Sequence, residues 1–215
     1  MSPATCPRCD GPLKPPGLMS SSWECELHGT VQPLRRWTRV TGEVLAQAAG
    51  KAGVPLWATL PLLPGWTVTG LALAGDERDG ARGTALLLSG PSPVGGPADM
   101  AIVAEDPGLG LGARLAGLDA SDPGTVVQGP PDAKVEAAGH PTALWRTDSA
   151  EDRMAFVGEA LGVWLYVVVW PPAAELVLIE HVELHDLRDA RHVGPELPVG
   201  APTTRLGGNG SGHGG

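Results

Sequence analysis

Apolar residues are distributed along this chain in two ways. Over positions 1–40 they stand almost all singly among Pro, Gly and Ser, whereas from position 55 they gather into runs such as ALLL at 85–88, MAIVA at 100–104 and VWLYVVVW at 163–170. Short apolar runs closed off by Gly, Pro and Asp suit the strands of a packed sheet. They predict strands at 66–74, 84–89, 100–105, 134–138, 142–146, 154–157, 163–170 and 176–183. The segment DERDG at 76–80 fits a hairpin loop between the first two. Two stretches follow the helical period instead. Thr41 can cap a helix over 42–53, where Val44, Leu45 and Ala48 share a face so weakly hydrophobic that it predicts a loosely docked connector. Leu111, Leu115 and Leu118 repeat at spacings of four and three and predict a second helix within 109–118. The larger part is therefore an α+β domain, mainly antiparallel β-sheet with one or two helices.

The sparse N-terminal part carries the most specific chemistry. Cys6-Pro7-Arg8-Cys9 and Cys25-Glu26-Leu27-His28 contain every cysteine in the protein. Two ligand pairs, each with two intervening residues, wrap one tetrahedral metal, and Cys6, Cys9, Cys25 and His28 are assigned to a single Zn²⁺. With all four positions filled by protein the metal is closed to water, hence structural rather than catalytic. Gly11 and Gly29 stand where such turns need unusual backbone angles, which Asp10 also tolerates; Trp23 and Leu34 are expected beside the site, and 30–39 has the length of a closing strand. So polar a segment buries little, and the metal must supply its folding free energy. The expected organisation is an N-terminal zinc ribbon at 1–40, a linking helix at 41–54, the antiparallel-sheet domain at 55–205 and a disordered Gly-rich tail at 206–215.

Charge narrows the partners. The formal net charge is −9, with six Lys/Arg against four acids in 1–54 and nine against twenty in 55–215. That balance argues against nucleic acid and against anionic membrane. Arg35, Arg36, Trp37 and Arg39 could grip phosphates beside an aromatic ring, but an outward strand face explains them as well. No apolar segment is long enough to span a bilayer, and three metal-patterned cysteines suit a reducing, cytoplasmic setting.

Two weaker patterns remain. Gly108-Leu109-Gly110-Leu111-Gly112-Ala113 has the spacing of a dinucleotide fingerprint, yet no βαβ series continues from it; a loop that lets a helix pack close to the sheet is the preferred reading. His181, Glu183 and His185 alternate, with Asp186, Asp189 and His192 nearby, and could form an acid–base patch or simply a solvent-facing strand. No nucleophile elbow and no phosphate-binding Gly-Lys-Ser/Thr loop is present.

CPRCDGPL, Trp23 and CELHG, followed by GWTVTGLALAGDERDG and later KVEAAGHPTALW and HDLRD, resemble an uncharacterised zinc-ribbon-containing protein family of high-GC actinobacteria, over nearly the whole chain up to about Arg205. The resemblance implies zinc binding and a shared domain arrangement, and it carries no catalytic residue. The expected function is a non-catalytic protein-interaction module with a structural zinc and a protein partner. Trp37 and Trp57 near the boundary are its candidate anchors, and Trp66, Trp145, Trp164 and Trp170 are assigned to the core. The alternative is an enzyme or small-ligand binder with its site in 55–205.

Overall fold

A computed structural model describes residues 2–18, 20–37, 39–76, 80–124, 129–178, 182–189 and 197–207. Strands β1 (Trp23–Cys25) and β2 (Gly29–Val31) form an N-terminal hairpin. Ten further strands make one sheet: β3 (Leu34–Arg36), β4 (Trp57–Thr59), β5 (Thr67–Asp76), β6 (Gly80–Pro91), β7 (Pro97–Glu105), β8 (Ala133–Ala137), β9 (His140–Thr147), β10 (Met154–Ala160), β11 (Val163–Trp170) and β12 (Glu183–Asp186). Their spatial order is β3-β5-β6-β7-β11-β10-β9-β8-β12-β4. All pairs are antiparallel except β12 with β8. The architecture is thus the expected α+β one, a ribbon-like start on a mainly antiparallel sheet.

The apolar runs are continuous because the central strands are buried on both faces, a pattern more usual for parallel sheets. Leu71, Leu86, Leu88, Met100, Ile102, Leu165 and Val167 point to one core. The sheet curls over this layer, so that Trp57 of β4, Val135 of β8, Leu144 of β9 and Leu184 of β12 close it from the far side, and β4 packs against β6 and β7. Ala85, Leu87, Val103, Tyr166, Val168 and Trp170 point to a second core. It is covered by helix α2 (Leu111–Ala116) through Leu111, Leu115 and Ala116. Gly112 lets α2 lie directly on the sheet, because a Cβ there would run into the Tyr166 ring.

Helix α1 (Gly42–Lys51) starts as expected, with the Thr41 hydroxyl accepting from Val44 N at 3.2 Å. It does not dock loosely: Leu45, Ala48 and Ala49 are buried in the first core, and small side chains allow that close approach. The strand expected at 176–183 is corrected too. Pro171, Pro172 and the residues after them wind into a 3₁₀ helix at Pro172–Leu178, and the strand begins only at Glu183. In the hairpin expected at 76–80, Asp76 pairs with Gly80, while 77–79 lie outside the described residues. Of the Gly-rich tail expected at 206–215, Leu206 is instead buried in the second core, and 208–215 lie outside the described residues. Trp57 is fully buried and belongs to the core rather than to a surface; Trp66 and Trp170 are buried as expected, and Trp145 and Trp164 are partly exposed.

Candidate metal centre

Each ligand pair sits on a turn that its local sequence fixes. Cys6 N donates to Gly11 O at 2.9 Å and Asp10 N to Cys6 O at 2.8 Å, closing the first knuckle. Asp10 takes the left-handed conformation at φ 60°. Gly11 does not; its absent side chain instead leaves room for the Cys9 sulfur, which would lie 3.2 Å from a Cβ. In the second knuckle the β1–β2 register places Cys25 opposite Gly29, so Glu26–His28 form the turn, and Gly29 has the expected positive φ of 65°. Lys14 and Glu24 exchange backbone hydrogen bonds of 2.9 and 3.1 Å, tying the two knuckles together.

These turns bring the ligand atoms of Cys6, Cys9, Cys25 and His28 within 4.8 Å of one another. Cys9 Sγ lies 3.7 Å from Cys25 Sγ, and His28 Nδ1 lies 3.5 Å from Cys6 Sγ and 3.6 Å from Cys25 Sγ. A tetrahedral zinc with bonds of about 2.3 Å to sulfur and 2.0–2.1 Å to nitrogen has edges of about 3.8 Å between sulfurs and 3.6 Å between sulfur and nitrogen. The four residues fit a tetrahedral ion and could hold one. A disulfide would demand sulfurs about 2.05 Å apart. The thiols are also electrostatically unequal. Burial pushes Cys6 up to about 12, only partly offset by the Arg8 and Cys9 amides. Burial acts the same way on Cys25, but the Leu27 amide, the His28 ring and the His28 amide outweigh it and draw the group down to about 6. Val31 and Leu13 enclose the cluster. Of the residues expected beside it, Leu34 exchanges backbone hydrogen bonds with Thr5, next to Cys6, while its side chain joins the second core, and Trp23 lies under the Arg35 guanidinium, whose carbon is 5.8 Å from the ring centre.

The cluster is anchored to the sheet by three arginines. Arg8, inside the first knuckle, donates to Gly108 O and, at 3.4 Å, to Leu109 O, and its Cγ would be 2.8 Å from a Cβ on Gly110. The glycine loop with the dinucleotide spacing is therefore filled by an arginine of the metal knuckle. Arg114 of α2 returns the contact, donating to Pro7 O at 2.7 Å. Arg36 of β3 pairs with Asp10 at 2.9 Å and donates to Leu206 O. None of these pairings is visible in the sequence, because all but Arg36–Asp10 join residues a hundred or more positions apart and most acceptors are carbonyls.

Of the polar patch near the C-terminus, Glu183 and His185 do share one face and approach to 3.4 Å, with Leu184 turned inward. His181 and His192 lie outside the described residues. Asp186 is structural, accepting from Leu56 N at 3.1 Å and pairing with Arg188 at 2.7 Å. A buried acid escaped sequence reading altogether. Glu105 ends β7 fully buried and accepts from Leu111 N and Gly112 N at 2.7 and 3.1 Å, while its Oε1 has no hydrogen-bond partner among the described residues. Burial raises its carboxyl to about 8 against the pull of those amides. Among the described residues no helix is long and apolar enough to cross a membrane.

Fold and cluster together define a protein whose Cys3His centre, able to hold a metal ion, is built into the edge of a curled antiparallel sheet. The chain belongs to a family of unknown function, DUF6758, whose model matches residues 1–206. No curated protein and no solved structure matches it.

Proposed function

We propose that Cys6, Cys9, Cys25 and His28 bind one structural Zn²⁺, and that this zinc fixes a non-catalytic interaction module for a cytoplasmic protein partner. The carrying observation is the cluster itself: four donors at tetrahedral spacing, two of the thiols buried, and every coordination position filled by the protein. When bound, zinc would offset two of the three thiolate charges and hold the knuckles, and it would offer no open site for chemistry. Arg8, Arg36 and Arg114 then transmit that order to the sheet. Leu27 at 79% and Leu18 at 106% exposure are the module's candidate contacts for that partner. Native mass spectrometry of the intact chain, purified without chelator, tests the metal: one zinc per chain is expected, and a metal-free chain with folded knuckles would refute it. A photo-crosslinking residue in place of Leu27 should join the chain to another protein in producing cells; an absence of protein adducts would count against the partner.

A further inference from the structure

A cavity of about 470 Å³ opens where the end of β3, the end of α1 and the β5–β6 hairpin meet. Arg35, Trp37, Lys51, Leu73, Asp76 and Ala81 are among its walls. Its size falls within the range of about 300–1,000 Å³ typical of small-molecule sites. The backbone holds these walls in place. Arg35 is the register partner of Leu73, Trp37 N donates to Leu71 O at 3.0 Å, and Gly75 N donates to Pro33 O at 3.1 Å. On the opposite wall Gly53 N donates to Ala81 O at 2.8 Å, which ties the end of α1 to β6. A bulge between Ala74 and Gly75 bends the hairpin at the cavity mouth, and only glycine fits there because a Cβ would lie 2.5 Å from Ala81 Cα.

We propose that this cavity binds a small aromatic acid, a flat ring carrying a carboxylate or phosphate. The ring would lie against the Trp37 indole and the apolar floor of Leu73 and Ala81. Its anionic group would meet Arg35 and Lys51, two cations on the wall of a pocket in a chain of net charge −9. The proposal stands apart from the zinc reading, since every wall residue lies beyond the metal ligands.

Isothermal titration of the full-length, metal-loaded protein with benzoate, indole-3-acetate and adenosine 5′-monophosphate tests it, with inorganic phosphate and adenosine as half-ligands. At least one of the three acids should bind with Kd below about 1 mM. Phosphate and adenosine should each bind about tenfold more weakly than the nucleotide if the nucleotide is the acid that binds. Lys51→Gln, at an exposed position, should weaken the best acid about five- to tenfold without changing the melting temperature, and Trp37→Leu should weaken it as much or more. No binding by any of the three acids, or equal binding by wild type and Lys51→Gln, would overturn the proposal.

Discussion

Between residues 2 and 31, Cys6, Cys25 and Val31 gather around one centre with Cys9 and Leu13 beside them, whereas the sheet entered at β3 buries two full apolar layers. Two of the three buried residues in the small cluster are themselves ligands. The module buries almost no hydrophobic surface of its own, and on the proposed reading metal coordination takes its place. The sheet needs no such help, since each central strand contributes side chains to both layers. Their junction belongs to neither regime, being made of backbone hydrogen bonds between Thr5 and Leu34 and of arginines reaching carbonyls and Asp10.

The largest effect should come from removing a ligand. Cys25→Ser should abolish stoichiometric zinc binding and unfold the knuckles, because structural zinc contributes on the order of 10 kcal/mol to such modules. Metal content and near-ultraviolet circular dichroism check this, and the sheet's cooperative melting transition should persist. Leu86→Ala and Leu87→Ala, on opposite faces of β6, should each cost about 2–5 kcal/mol in denaturant unfolding while zinc content stays at one. A loss confined to one of the two would show that only one layer is a true core.

Glu105 sharpens the contrast through pH. Its folded-state value of about 8 lies above the ordinary 4.5, so folding takes up a proton between those values. The stability linked to this group is complete below about pH 4.5 and falls as pH rises towards 8, by at most about 1.4 kcal/mol per unit. Glu105→Gln keeps an acceptor for Leu111 N and Gly112 N and should remove that slope, measured by urea unfolding at pH 5.5 and 7.5. The smallest effect is at the junction. Arg114→Met should cost about 1–3 kcal/mol of module docking, seen as faster amide exchange in the first knuckle with zinc retained.

The sequence shows the metal cluster directly because spacing within each knuckle is local, and turn geometry follows from Asp10 and Gly29. The long strands are equally legible, since runs such as VWLYVVVW admit few alternatives. What escapes is long-range: the parallel pairing of β12 with β8, the curl that buries Trp57, and the reach of Arg8 into the glycine loop. Glu105 was hidden for another reason. At the end of MAIVAE it looks like a strand's polar terminus, and only the packing of α2 onto Tyr166 makes it a buried acid.

Hydrogen–deuterium exchange of the intact protein, with and without a zinc chelator, tests the division most directly. Chelation should release the amides of residues 5–31 while β5, β6, β7 and β11 keep their protection. Unchanged protection in the knuckles, or loss of protection across the whole sheet, would contradict a module held by metal beside a sheet held by burial.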